Sequence, residues 1–350
     1  MTLEMESKIC VIIPAYNAAE TISHVVRGAL NHISCVMVAD DGSTDDTAKI
    51  AAEAGAEVIS IDKNRGKGHA LKVLFQRAAD EGYDAVISMD ADKQHNPEDI
   101  PLFMEAHLKN PTDIILGSRI HEKGKIPRAR YNSMHIARFF VSLAANQFIE
   151  DTQCGFRLYP LTLLKNMSLT TDRYVTETEI LIKAGDMGSK IRAVKIQALY
   201  GAYTSHFRPV LDVDAITAYV ISYLMIKWIK ESVSSDSPNT YSPNNIRDLI
   251  GRHKFINDRF QTLTALTICP MTVLFLIGFK FIPIIKRNNF SSIRKLNCGF
   301  FKIVLATHML PVLLIIATVE RIINFLGFRA KFTDWFIKIF YPDLWGEKKK

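Results

Sequence analysis

Between Lys8 and about residue 120, short runs of Val, Ile and Ala alternate with longer stretches whose apolar residues recur at helical spacing. Few architectures accept that pattern, because parallel strands need crossover segments and those segments must cover the sheet. Strands are expected at Ile9 to Pro14, Cys35 to Asp40, Glu57 to Ile61, Ala85 to Asp90 and Ile114 to Ser118. Helices are expected over Ala18 to Leu30, Asp45 to Ala54, Gly68 to Glu81 and Pro97 to Lys109. Thr44, Asp45 and Asp46 open the second of these ahead of an Ala-rich run. The fold class is α/β with a mainly parallel sheet, in outline a nucleotide-binding half-barrel.

In open parallel sheets, ligands bind beyond the carboxyl ends of the strands, so the residues placed there carry the functional signal. Met89-Asp90-Ala91-Asp92-Lys93-Gln94-His95 follows the fourth apolar run. Its paired carboxylates are hard oxygen donors suited to Mg2+ or Mn2+, which would neutralise a diphosphate leaving group. An isolated Asp-x-Asp is more often a solvated turn, but this one is accompanied. Asp40-Asp41-Gly42-Ser43 ends the second strand, with carboxylates able to accept bonds from a base and ribose. Asn64-Arg65-Gly66-Lys67-Gly68 opens a helix where backbone N–H groups and Lys67 could meet phosphate. Gly117-Ser118-Arg119 places a guanidinium at the end of the fifth strand, to contact a phosphate or form an ion pair.

Taken in order, Ile12-Ile13-Pro14-Ala15-Tyr16-Asn17, these four segments and Asp151-Thr152-Gln153-Cys154-Gly155-Phe156-Arg157 resemble glycosyltransferase family 2 with its GT-A fold. Within it, the likeness is to the dolichyl- and polyprenyl-phosphate hexosyltransferases, over about residues 8 to 230. The resemblance implies that Pro14, Tyr16 and Asp41 line the nucleoside pocket of the donor, which Asp40, Lys67, Asp90 and Arg119 are also expected to contact. It implies that Asp90, Asp92 and Gln94 hold the metal and the donor diphosphate, and that Arg119 and Arg130 face phosphates or the acceptor. Glu177 and Glu179 fall where the family has a buried acidic pair near the sugar. Two positions depart from the pattern. Ala18 stands where an acid often follows Pro-x-Tyr-Asn, and Ser205-His206-Phe207-Arg208 replaces a Ser-Lys segment, which passes the acceptor contact to Ser205, His206 or Arg208.

The remaining third has a different character. The net charge of +7 divides into −2 up to Lys230 and +9 over the 120 residues beyond it. That basic excess coincides with the longest apolar runs, which suits an anionic membrane surface; no nucleic-acid recognition motif accompanies it. Residues 231 to 245, rich in Ser, Pro and Asn, read as a linker, so the catalytic domain is expected at residues 1–230, a linker and basic segment at 231–260, and a hydrophobic segment at 261–350. Leu263 to Ile285 and Ile303 to Val319 are long enough to cross a bilayer or to re-enter it; their connecting segment carries five cations and no acid. Arg128 to Glu150 has an apolar stripe that fits a core helix and a helix lying on the membrane equally. Ala215 to Ile229, edged by Lys227, Trp228 and Lys230, suits a bilayer interface. The start of the chain lacks the pattern of a signal peptide, and the scattered cysteines form no metal or redox spacing, so a membrane-associated enzyme with its catalytic domain on the cytoplasmic face is expected.

The expected function is inverting transfer of a hexose from a UDP- or GDP-sugar to a polyprenyl or dolichyl phosphate or similar lipid-linked acceptor. The alternative within the family is transfer to a hydroxyl of a lipid-linked saccharide or polysaccharide. Asp92, Arg119, Arg130, Glu177 and Glu179 are the candidate catalytic residues. A hydroxyl acceptor needs a general base, for which Glu177 and Glu179 are candidates, whereas a phosphate acceptor is already anionic and needs only positioning cations. A nucleotidyltransferase and a silent membrane scaffold are the rivals outside this class. Nothing in the sequence specifies an oligomeric state.

Overall fold

The computed structural model describes residues 7–122 and 144–197 without interruption, with scattered positions between 124 and 142 and between 199 and 227. The chain divides into two units, residues 1–217 and 218–350, and the described residues of the second all lie between 218 and 227. The two long apolar runs and the linker therefore lie outside the described residues. Among the described residues no helix is long and apolar enough to cross a membrane.

Seven strands form one sheet in the first unit: β1 (Ile9–Ala15), β2 (Val36–Asp40), β3 (Glu57–Ser60), β4 (Ala85–Ser88), β5 (Ile114–Ser118), β6 (Arg157–Pro160) and β7 (Ile191–Lys195). Their order is β3-β2-β1-β4-β6-β5-β7. The pairs β1–β2, β2–β3, β1–β4 and β5–β7 are parallel, while β6 runs antiparallel to both β4 and β5. The sheet is thus mixed, and the strand that makes it so was not expected. Arg157–Pro160 is four residues long, carries a charge and ends in proline, so nothing local marks it as buried sheet.

The expected strands all form. The fourth ends at Ser88, which leaves Asp90 in the turn beyond it. Every residue of β1 is buried, as a central strand covered on both faces must be. Parallel register pairs Ala15 with Asp40 and Ile12 with Ser88, so the chain leaves β1, β2 and β4 at the same edge of the sheet. This alignment gathers the polar segments.

Six α-helices of the unit have described bounds: α1 (Ile22–Leu30), α2 (Thr47–Glu53), α3 (Lys67–Asp80), α4 (Ile100–Lys109), α5 (Leu161–Lys165) and α6 (Val175–Asp186). α1 buries Ile22, Val25, Val26 and Ala29, the i, i+3, i+4, i+7 stripe of a surface helix, against Val11, Ile13 and Val38. Each large aliphatic side chain buried this way stabilises the fold by roughly 1.5–3 kcal/mol. α1 and α2 begin later than expected because residues 16 to 21 and 41 to 46 are held in loops by the cleft contacts described below. A 3-10 turn at Pro97–Asp99, capped by the Asn96 side chain accepting from the Glu98 N–H, leads into α4.

Within the expected helix from Arg128 to Glu150, the described positions from Met134 to Ala144 are helical, and Asn146 has a left-handed φ of 54°, so the helix stops short of Glu150. Met134, Val141, Ala144 and Ala145 are buried, which favours the core role for this segment. Most described positions between 215 and 227 are helical, as the sequence suggests.

Candidate active site

A cleft of about 550 Å3 opens at the carboxyl edge of β1, β2 and β4, a size suited to a small-molecule ligand. Pro14, Tyr16, Asp41, Lys67, Asp90 and Asp92 line it, joining four of the segments singled out in the sequence. Its wall also includes Asp45, from the acidic run that follows β2, and Glu20, Arg173 and Tyr174, which were not expected at the site.

Local bonding explains why these loops converge. Asn17, at a left-handed φ of 47°, donates its N–H to Ser43 Oγ at 2.8 Å, and its Oδ1 accepts from the Thr44 N–H at 2.8 Å. The loop after β1 is thereby pinned to the loop after β2. Asp45 and Thr47 accept from the N–H groups of Ala19 and Ala18 at 3.1 and 2.7 Å. Ala18 therefore serves as a backbone anchor, and the acid two residues on, Glu20, lies on the cleft wall.

Asp41 is placed in the cleft, but its carboxylate is engaged by the neighbouring loop. Its Oδ1 accepts from the Arg65 N–H at 2.9 Å and its Oδ2 from the Gly66 N–H at 2.6 Å. Asp41 thus fixes the start of α3. Gly66 sits there at φ 96°, a conformation that favours glycine. Asp40 is buried, accepts from the Ser43 N–H and does not reach the cleft wall.

At the floor, Lys67 Nζ lies 2.5 Å from Asp90 Oδ1 and 3.0 Å from Glu177 Oε2. Burial opposes the charges on Lys67 and Asp90, but their attraction outweighs it. The Asp90 carboxyl is held well below the usual carboxylate range and the Lys67 ammonium well above its own. A Cβ at Gly155 would lie 2.8 Å from both Lys67 Nζ and Asp90 Oδ2, so the turn before β6 leaves room for the ion pair only as glycine.

The turn carrying Asp92 is braced from behind. His95 Nδ1 accepts from the Asp90 N–H at 3.0 Å, and its ring stacks on Phe156 at a centroid distance of 5.1 Å. Burial pushes the His95 pKa down to about 4, so the imidazole is neutral near pH 7, as the acceptor role at Nδ1 requires. Asp92 Oδ1 accepts from the Gln94 N–H at 3.0 Å across Lys93, which adopts a φ of 62°.

Glu177 and Glu179 lie on α6 and are both buried, yet they face different surroundings. Glu177 reaches Lys67. The Glu179 carboxylate accepts from the Thr170 and Thr171 N–H groups and both their hydroxyls at 2.6–3.1 Å, and pairs with Lys183 at 2.6 Å. It is a loop anchor, and the structure does not bring it to the cleft. Arg119 is likewise absent from the cleft wall. It is 3% exposed, and its Nε and Nη2 donate to the Asp151 carboxylate at 3.0 and 3.3 Å. Arg157, fully buried, donates to the carbonyls of Thr152, Cys154 and Glu177 and to the Tyr159 hydroxyl, stapling β6 to the first turn of α6. Arg130, Ser205, His206 and Arg208 lie outside the described residues.

No cluster of three or more His, Cys, Asp or Glu arranged to hold a metal ion occurs among the described residues. A Mg2+-type ion completed by substrate phosphates needs only one or two protein carboxylates. Ionised Asp90, with Asp92 on the same turn of the cleft wall, fits such an ion, whereas Gln94 follows them without reaching the wall.

A mainly parallel sheet, a polar cleft across its carboxyl edge and an acid-x-acid turn beside a lysine-bearing helix start define the class of nucleotide-sugar transferases built on the GT-A fold. The solved glucosyl-3-phosphoglycerate synthase from Mycobacterium tuberculosis, in complex with Mn2+, UDP and glucosyl-3-phosphoglycerate, shares the fold. The TM-score is 0.51 at 22% identity, over 63% of this chain and 80% of that one. The family model for glycosyl transferase family 2 matches residues 10–169, and the chain belongs to that family. It is 31% identical over 219 residues to UDP-N-acetylglucosamine–dolichyl-phosphate N-acetylglucosaminyltransferase from Methanococcus voltae, covering 56% of this chain and 87% of the relative. It is 30% identical over 207 residues to dolichol-phosphate mannosyltransferase from Pyrococcus furiosus, covering 55% and 56% of the two chains.

Proposed function

We propose that this chain transfers a hexose, with inversion, from a UDP- or GDP-sugar to a polyprenyl or dolichyl phosphate at the cytoplasmic face of a membrane. The observation that carries the reading is the cleft floor, where Asp90, Lys67 and Glu177 form one ion-paired group beside Asp92. The lipid-phosphate acceptors in the names of the relatives from Methanococcus voltae and Pyrococcus furiosus support the choice of acceptor.

The proposed roles follow from the chemistry of each group. Tyr16, Pro14 and Glu20 form the nucleoside side of the cleft. Asp90, Asp92 and Gln94 would hold Mg2+ or Mn2+, which when bound neutralises charge on the leaving diphosphate. Lys67 holds the Asp90 and Glu177 carboxylates in place, so that neither reorganises as charge develops. Arg130, Ser205, His206 and Arg208 are proposed to position the acceptor phosphate, whose oxygen is anionic and attacks without a base. The apolar, basic segment beyond residue 260 would hold the enzyme at the bilayer that contains such a lipid.

The test uses the full chain in lipid bicelles with Mn2+, dolichyl phosphate and labelled UDP- or GDP-hexoses. A labelled lipid that releases its sugar in mild acid is expected, as for a glycosyl phosphate. Transfer to a saccharide hydroxyl, with none to the lipid phosphate, overturns the acceptor assignment. The hydroxyl reading is kept because Glu177 is a carboxylate paired with Lys67 of the cleft wall. A Glu177→Gln variant that binds donor but transfers nothing favours that reading.

A further inference from the structure

The cleft wall carries five acids, Glu20, Asp41, Asp45, Asp90 and Asp92, and two cations, Lys67 and Arg173. Lys67 is already neutralised by Asp90 and Glu177. A nucleoside diphosphate entering so acidic a cleft needs a further positive group besides any metal ion, and Arg173 is the remaining candidate among the described residues.

Arg173 is exposed and holds a left-handed φ of 58°, a costly conformation for a residue with a side chain. Its surroundings impose it. A Cβ at Gly66 would lie 2.5 Å from Arg173 Cγ, and one at Gly68 would lie 2.6 Å from the Arg173 carbonyl, so residue 173 rests directly on the turn that starts α3. On its other side, Thr170 and Thr171 are bound by the buried Glu179 carboxylate, and Lys72 Nζ bonds the Thr171 carbonyl at 3.0 Å and Asp172 at 2.6 Å. Thr176 Oγ1 closes the loop on the Thr171 carbonyl at 2.8 Å. A loop secured at both ends by polar contacts, yet presenting one strained arginine to a ligand cleft, has the form of a preorganised anion clamp.

We propose that Arg173 binds the diphosphate of the donor, and that Glu179 is a positioning residue that acts through Arg173 by fixing the loop that carries it. The inference rests on the transferase reading above. It gives Glu179 a role in place of the general base that its position in the sequence suggests.

The experiment is calorimetric titration of the full chain, in Mn2+, with UDP and GDP and with the nucleosides uridine and guanosine. Wild type is expected to bind one of the diphosphates. Arg173→Ala is expected to weaken that diphosphate by about ten- to a hundredfold while leaving the matching nucleoside unchanged, as loss of charge-assisted bonds to phosphate requires, with Arg173→Lys intermediate. Glu179→Gln is expected to weaken the diphosphate in wild type and to have no further effect in the Arg173→Ala background. Unchanged diphosphate affinity in Arg173→Ala, or an equal loss of diphosphate and nucleoside, overturns the clamp while the transferase reading stands. Additive losses overturn the role of Glu179. Failure of wild type to bind either diphosphate removes the transferase reading and this inference with it. Because Arg173 is exposed, its variants fold and keep the test valid even if Glu179→Gln does not.

Discussion

The ammonium of Lys67 lies 2.5 Å from a carboxylate oxygen of Asp90, and the pair joins the first turn of α3 to the turn beyond β4. With Glu177 on the same ammonium, removing the lysine would leave two carboxylates without their shared cation. Lys67→Met is expected to lower stability by roughly 2–3 kcal/mol, less than for a fully buried pair because Asp90 retains some contact with water. Urea unfolding of the variant checks it, and Lys67→Arg should recover most of the loss.

Asp92 is half-buried on the cleft wall, where its exchange should spare the fold. Asp92→Ala is expected to reduce transfer by about 10²- to 10³-fold, the scale of removing one group that stabilises developing charge. Turnover is to be measured in saturating Mn2+. Wild-type rates there would remove the residue from the chemistry.

Arg119 and Asp151 form a buried two-point pair away from the cleft wall. Arg119→Met leaves Asp151 charged and buried, and is expected to cost about 3–5 kcal/mol of stability. The double variant Arg119→Met with Asp151→Leu should regain much of it. An Arg119→Met protein that is fully stable but cannot bind donor would instead assign the guanidinium to ligand.

The Glu179 carboxyl carries a prediction for pH. Burial raises its pKa, but Lys183, the Thr171 hydroxyl and the Thr170 and Thr171 N–H groups outweigh that effect, and the value falls from 4.5 to about 2. A depressed folded-state value means that the unfolded chain binds the proton more readily. The stabilisation is therefore complete above pH 4.5 and is lost as pH falls towards about 2. Thermal unfolding between pH 6 and pH 3 should show a slope that Glu179→Gln reduces. Parallel curves for the two proteins would contradict the assignment.

How far the sequence reaches differs from segment to segment. β1 and α1 were legible because their signal is local: an unbroken apolar run, and a stripe at helical spacing. The Asp90, Lys67 and Asp41 segments were legible because each follows a strand that could be drawn. β6 was not legible, since Arg157 inside a strand makes sense only when the carbonyls of Thr152, Cys154 and Glu177 surround it. Arg173 left a faint trace, a cation just ahead of Tyr174 and α6, with nothing to connect it to Gly66 more than a hundred residues away.

Chain chemistry alone thus determined the α/β class, the edge at which polar loops collect and the acidic turn on the cleft wall, because periodicity and strand ends are properties of neighbouring residues. Which carboxylates remain in the cleft and which are spent inside the protein was decided only in three dimensions. Asp90 and Glu177 share Lys67, whereas Glu179 is consumed by Thr170 and Thr171, and Arg119 by Asp151. The partner of a charge is chosen by packing between segments distant in sequence, and no spacing along the chain encodes it.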